Sequence, residues 1–182
     1  GGSLSACVPL LMGGAFAGGT LVATDRRTSG AQLEDEGIEL RAASRIRGQM
    51  SESVRVVVTS YNRQALLTGQ VPTEQEKQLA EQIVSRVENV GTVINELSVA
   101  GTASLSQRSS DTLVTGRVKA LLLDARDLQS NAFKVVTEGG TTYLMGRVTQ
   151  READRATAVV RGASGVQKVV RIFEILSEDE LA

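Results

Sequence analysis

Tyr143-Leu144-Met145-Gly146-Arg147-Val148 repeats the pattern of an earlier stretch, Leu66-Leu67-Thr68-Gly69-Gln70-Val71. Both are apolar runs of strand length. Each carries a glycine, Gly69 or Gly146, just before a helix start, where a Cβ would obstruct a bend or the packing of the following helix. Working outward from each run gives the same elements. Ahead of it lies an alternating strand, Val54, Val56 and Val58 in one copy and Phe133, Val135 and Thr137 in the other. Turns at Tyr61-Asn62-Arg63 and Glu138-Gly139-Gly140-Thr141 join the strands, and glycines accept the positive φ of a tight hairpin. Farther ahead, Ile38, Ala42 and Ile46 mark one face of a helix, and Val114, Val118 and Leu122 repeat that face in the second copy. Helix faces and strands thus recur in the same order at nearly the same offset. Self-similarity at a fixed period marks a duplicated structural unit.

Behind each run the pattern continues. Pro72-Thr73-Glu74 opens a second helix, with Thr73 as cap and Glu76 three residues on; Thr149 and Glu152 repeat that pair. Leu79, Ile83 and Val87 mark the buried face in the first copy, and Ala156, Val159 and Val160 in the second. A last strand is expected from Val93 to Leu97, and again around Ile172, Phe173 and Ile175. The fold class is α+β: two tandem modules, each αββαβ, with a three-stranded mixed sheet packed on two helices. The first module spans 32–101, a polar linker 102–110, the second module 111–176, and a frayed acidic tail 177–182.

The start of the chain has a different character. Leu4-Ser5-Ala6-Cys7 fits a bacterial lipobox: a branched apolar residue, two small residues, then cysteine. Residues 1–6 then read as the remnant of a signal peptide, and Cys7 as the site of lipidation. A diacylglyceryl thioether plus an amide-linked acyl chain, such as palmitate, gives stable anchoring where one chain would not. Val8, rather than Asp, follows Cys7, which favours sorting to the outer membrane. Residues 7–31 are the lipidated N-terminus and tether.

Composition removes several function classes. The chain has no His and one Cys, so the usual general base, the commonest transition-metal ligand and any internal disulfide are missing. The net charge is −1 and there is no Trp, which gives neither a positive field nor a stacking platform for nucleic acid. The acidic clusters Glu34-Asp35-Glu36 and Glu178-Asp179-Glu180 read as solvated charge, the first placed favourably at a helix start. No catalytic residue, no metal site and no cofactor beyond the covalent lipid on Cys7 are expected.

The helix 111–124 carries one feature that its core does not use. At about 100° per residue, Leu113, Gly116, Ala120 and Leu123 fall opposite the core face, flanked by Arg117 and Lys119. An apolar strip with cationic edges suits a membrane surface, apolar groups at the acyl boundary and cations on lipid phosphates. The matching positions of the first helix hold Leu40, Ser44 and Arg47. Exposed apolar patches also mark protein interfaces. Anionic phospholipid, the first module and a second chain therefore all stand as occupants of the stripe, and the oligomeric state stays open.

The order of elements, the strand ends Leu66-Leu67-Thr68-Gly69 and Tyr143-Leu144-Met145-Gly146, and the close Gly165-Val166-Gln167-Lys168-Val169 resemble BON domains. In the first copy Asn89 stands where that close has its glycine. With the lipobox and Thr24-Asp25-Arg26-Arg27-Thr28 ahead of them, the two modules resemble the dual-BON outer-membrane lipoproteins. That resemblance implies a periplasm-facing lipoprotein that binds anionic phospholipid mainly through the first helix of its second module. It also implies a role in envelope integrity and a place at division sites. Where that group has a Trp on the lipid-contacting helix, this chain has Leu113. Two other readings share the fold: an adaptor lipoprotein that binds a protein of the envelope assembly or division machinery, and a binder of small apolar solutes between the modules.

Overall fold

The structure, a computed structural model, describes residues 25–181. Cys7, the lipobox and the stretch up to Thr24 lie outside the described residues.

The first module runs α1 (Ser29–Gln49), β1 (Arg55–Tyr61), β2 (Gln64–Val71), α2 (Glu74–Ser85), β3 (Thr92–Asn95) and β4 (Ser98–Val99). The second runs α3 (Leu105–Asp124), a short 3₁₀ turn (Ser130–Ala132), β5 (Phe133–Glu138), β6 (Thr141–Thr149), α4 (Gln150–Arg161) and β7 (Lys168–Leu176). A last short helix, α5 (Glu178–Leu181), follows. In each module the first two strands pair antiparallel and the last pairs parallel to the middle one, the mixed sheet expected. The first module's last strand is broken: β3 and β4 both pair with β2, interrupted at Glu96-Leu97, where a single strand to Leu97 was expected.

Helix caps explain three boundaries that differ from the sequence reading. Thr28 caps α1 by accepting from the Ala31 amide, so the helix begins at Ser29, inside the expected tether. Ser104 accepts from the Gln107 amide, so α3 starts at Leu105 and the polar run 102–110 is mostly helix rather than linker. At the tail, Ser177 Oγ accepts from the Glu180 amide while Glu180 Oε1 accepts from the Ser177 amide. That reciprocal pair closes a helical turn where fraying was expected.

Each helix pair covers one face of its sheet. In the first module Ile38, Ala42, Ile46, Leu67, Val71, Ala80, Ile83 and Val84 form the core. Leu79, expected on the buried face of α2, is exposed, and Ala80 and Val84 take its place beside Ile83. In the second module the core is Val114, Val118, Leu122, Leu144, Val148, Ala153, Ala156 and Val160.

The opposite faces of the two sheets meet. Tyr61 and Leu66 of one module pack on Tyr143, Met145 and Ile172 of the other, with Leu66 and Met145 fully buried. Ion pairs rim this seam, Arg55 with Glu138 at 2.6 Å and Lys134 with Glu39 at 3.0 Å. Gln70 and Asn62 add hydrogen bonds to Glu138 and Glu174. The modules therefore join sheet to sheet through these side chains.

Candidate membrane-facing surface and the residues that position it

Sheet-to-sheet packing leaves the outer side of α3 uncovered. Leu113 is 62% exposed and Leu123 70%, so neither packs on the first module. Gly116, Arg117, Lys119 and Ala120 are outside the core as well. The stripe is longer than expected, because α3 begins earlier. Leu105, 73% exposed, lies three turns before Gly116 on the same line. Arg117 donates to the Ser164 carbonyl at 3.2 Å but meets no carboxylate, and Lys119 has no polar partner among the described residues. Both charges are free to meet an external anion.

The first helix makes the comparison sharper. It too exposes leucines, Leu33 at 70% and Leu40 at 73%. Two of its cations are spent internally: Arg41, the counterpart of Arg117, pairs with Glu34 at 2.6 Å and with Glu88 at 3.5 Å, and Arg45 also pairs with Glu88, while Arg47 stands exposed on the line itself, in the place of Leu123. Glu36 takes the place of Thr112 beside the apolar line. What distinguishes the modules is arrangement: α3 keeps an unbroken apolar line with unpaired cations on both edges, whereas α1 has Arg47 on the line, a paired Arg41 at one edge and Glu36 beside it.

One buried acid in each module fixes its first helix to the hairpin turn. Asp111, at the head of the core face of α3, accepts from the Gly139 amide at 2.9 Å and the Gly140 amide at 3.2 Å, tying α3 to the β5–β6 turn. Asp35 does the same in the first module and is only 1% exposed, so it is not the solvated helix-start charge expected. It accepts from the amides of Asn62 (2.7 Å) and Arg63 (2.9 Å), from Ser60 Oγ (2.7 Å) and from the Arg27 guanidinium (2.9 Å). Burial works to raise its pKa; the bonds from Arg63, Ser60, Arg27 and Asn62 outweigh it and hold the carboxyl below its ordinary range. The turn residues Asn62 and Arg63 both have positive φ, 50° and 69°, which such support makes tolerable.

The chain entering the first module is bonded into both. Arg26 meets both Glu152 oxygens at 2.7 Å and donates to the Arg147 carbonyl at 3.0 Å. That guanidinium lowers the Glu152 carboxyl to about 2. Glu152 also completes the capping box with Thr149 that the sequence suggests. Arg27 reaches Asp35 and lies 4.5 Å over the Tyr61 ring. Asp25, the first described residue, lines a cleft with Lys119 and Leu123 of α3. Asp25 thus lies beside the C-terminal end of the exposed stripe.

Gly69 and Gly146 serve the fold, by a contact other than the one expected. A Cβ at Gly69 would lie 1.9 Å from the Arg55 carbonyl oxygen, and at Gly146 2.4 Å from that of Ala132. The obstruction is the neighbouring chain on the β1 or β5 side rather than the following helix. Among the described residues, no three His, Cys, Asp or Glu side chains are grouped to hold a metal ion, and no helix is long and apolar enough to cross a membrane.

Comparison with known proteins agrees with this duplicated architecture. The family model described as BON domain matches residues 35–101 and 110–176. A Haemophilus influenzae protein named outer membrane lipoprotein DolP is 37% identical over 95% of this chain and 90% of its own length. A protein of Actinobacillus pleuropneumoniae named 21 kDa hemolysin is 33% identical over 82% of this chain and 78% of its own length. Osmotically-inducible protein Y of Escherichia coli is 30% identical over 65% of this chain and 60% of its own length. Two matched modules, a relative aligned nearly end to end, and the same αββαβ unit twice in the structure together make this chain a member of the BON-domain family, with two BON domains in tandem.

Proposed function

We propose that this chain is a non-catalytic lipoprotein of the outer membrane, anchored through Cys7, whose second BON domain lies on anionic phospholipid and supports envelope integrity. The observation that carries the reading is the outer face of α3, where exposed leucines run between two cations that have no carboxylate partner among the described residues. The relative named as an outer membrane lipoprotein supports the compartment. The place of Asp25, in one cleft with Leu123, supports the orientation, since a tether from Cys7 joins the described body there.

The magnitudes favour the surface as a real contact. Fully burying a leucine contributes about 1.5–3 kcal/mol. A cation near an anionic surface contributes about 1 kcal/mol. Two leucines partly inserted and two cations thus give a few kcal/mol, enough to dock a body that is already tethered. Carboxylates at the leucines would remove the apolar term and repel the surface.

The test is vesicle sedimentation of the 182-residue chain carrying Cys7→Ser, so that no acyl chain contributes. Wild type is expected to pellet with anionic vesicles and not with neutral ones. Leu113→Asp with Leu123→Asp is expected to weaken that binding about 100-fold or more, since each tenfold is about 1.4 kcal/mol. Both side chains are exposed, so the fold should persist, which circular dichroism checks. Equal pelleting of the double variant would sink the reading, and a folded wild type that ignores both vesicle types would turn attention to a protein occupant of the stripe.

A further inference from the structure

Two consecutive residues ahead of α1 each hold a different module. Arg26 meets both carboxylate oxygens of Glu152. It also exchanges hydrogen bonds with Arg147, donating to that carbonyl at 3.0 Å and accepting from that guanidinium, at its own carbonyl, at 2.8 Å. Arg27 serves the first module, donating to Asp35 at 2.9 Å and lying 4.5 Å over the Tyr61 ring. The two attachments are joined a second time across the seam. The Arg147 guanidinium donates to Glu174 at 3.3 Å, and the Asn62 side chain donates to the same carboxylate at 2.9 Å. The Asn62 backbone amide then donates to Asp35 at 2.7 Å. Arg26, Arg147, Glu174, Asn62, Asp35 and Arg27 therefore form a closed ring of bonds through both modules and the segment ahead of them.

The strongest link of that ring lies in the segment. Arg26 and Glu152 are more deeply buried than the seam pairs of Arg55 with Glu138 or Lys134 with Glu39. A two-pronged contact of guanidinium and carboxylate, shielded from water, is stronger and more directional than an ion pair open to solvent. The seam beside it is the weaker part of the arrangement. Its buried cluster is smaller than either module core. Thr68 alternates with Leu66 and Gln70 on the seam side of β2; it is fully buried, and its hydroxyl has no partner among the described residues. A buried hydroxyl left without a partner works against closure. Mixed interfaces of this kind between domains of one chain permit relative motion unless something further holds them.

We propose that Arg26 and Arg27 are a clasp that holds the two BON domains in one orientation, and that withdrawing Arg26 from Glu152 lets the domains part along the seam. Parting bares Leu66, Tyr143 and Met145, a sheet face that the closed body hides. The clasp lies on the chain between Cys7 and the first BON domain, so a pull along that chain loads the Arg26 contact before the seam. Module orientation is in this way tied to the segment that leads to the anchor. The clasp does not depend on lipid docking, and its test contains no lipid.

The experiment is a distance measurement by pulsed electron double resonance on the full chain carrying Cys7→Ser. Nitroxide labels are placed at Gln82→Cys on α2 and Ala158→Cys on α4, exposed positions on the outer helices of the two domains. The parent is expected to give a single narrow distance. Arg26→Gln is expected to add a longer, broader component, the separated population rising about tenfold or more; losing one partner of a shielded pair releases at least that much. Arg26→Gln with Glu152→Gln removes both charges and keeps an acceptor for the Thr149 amide, so α4 stays capped. It is expected to open the domains as well, with its helical circular dichroism unchanged. Arg161→Gln, an exposed cation at the end of α4, is expected to keep the parent distance. A narrow parent-like distance in the folded double variant overturns the clasp, because the seam alone would then hold the orientation. A broad distance in the parent, or equal opening by Arg161→Gln, overturns it too.

Discussion

Gly69→Ala is expected to destabilise the first BON domain severely. At this position φ is +118°, outside the range that residues with a Cβ adopt comfortably, and the added carbon would lie 1.9 Å from the Arg55 carbonyl oxygen. Backbone strain of that kind costs about 1–3 kcal/mol. The overlap adds about 1–3 kcal/mol more even if the strands separate to relieve it. They cannot separate freely, because Gly69 sits within an antiparallel ladder in register from Arg55–Gln70 to Tyr61–Gln64. Against a typical domain stability of about 5–15 kcal/mol, a combined loss of about 2–6 kcal/mol removes much of the stability of a small module. Gly146→Ala is the internal comparison. A similar contact exists, 2.4 Å to the Ala132 oxygen, but φ there is not positive. It should cost about 1–3 kcal/mol, the overlap without the backbone strain. Urea unfolding of the two variants checks the order; equal losses would show that the positive φ of Gly69 is not a constraint.

The second large effect is expected at the duplicated aspartates. Asp35→Ala removes the acceptor for two turn amides, a serine hydroxyl and the Arg27 guanidinium. It leaves a mostly buried arginine with Asp25 as its remaining acid. Deleting one partner of a buried charge network costs about 3–5 kcal/mol. Asp111→Ala removes the acceptor of two turn amides in the second module, but its turn is Gly139-Gly140, which adopts positive φ without side-chain strain. No arginine pairs with Asp111 among the described residues, and the loss should be about 1–3 kcal/mol, the range for leaving buried donors unsatisfied. Denaturant unfolding of both variants distinguishes these values. The Asp35 contribution also has a defined pH dependence. Its folded pKa lies below the unfolded value of about 4, so its stabilisation is present above about pH 4. It is lost as pH falls through the folded pKa. The gap between wild type and Asp35→Ala should therefore narrow on acidification below about pH 4.

The repeat made most of the fold legible. Helix faces led by Ile38 and Val114, and strands ending at Gly69 and Gly146, recur in one order and fix both modules; the Thr73 and Thr149 caps mark their second helices. Other features were written in the chain but disguised. Asp35 precedes Ile38 by three residues and Asp111 precedes Val114 by three, so each acid heads a core face; flanking by Glu34 and Glu36 made Asp35 look solvated. Ala65-Leu66-Leu67 is apolar on both faces of a strand, the pattern of a sheet covered on both sides. The sheet-to-sheet seam is encoded in that run. The pairs of Arg26 with Glu152 and Lys134 with Glu39 left no local signal, because their partners lie 126 and 95 residues away. The stripe on α3 was legible at Leu113 and Leu123, yet its extension to Leu105 was hidden. A run of Ser, Gln and Arg reads as linker unless the Ser104 cap is recognised.

The central claim is that α3, and not α1, lies against anionic lipid. The chain has no Trp, so a single introduced indole reports only its own position. The measurement is tryptophan emission of Leu113→Trp and Leu40→Trp, each in the Cys7→Ser chain, with anionic vesicles that include brominated acyl chains. Leu113→Trp is expected to shift to the blue and to be quenched by the bromines, while Leu40→Trp keeps its aqueous spectrum. A blue shift and quenching at Leu40→Trp with none at Leu113→Trp would contradict the account.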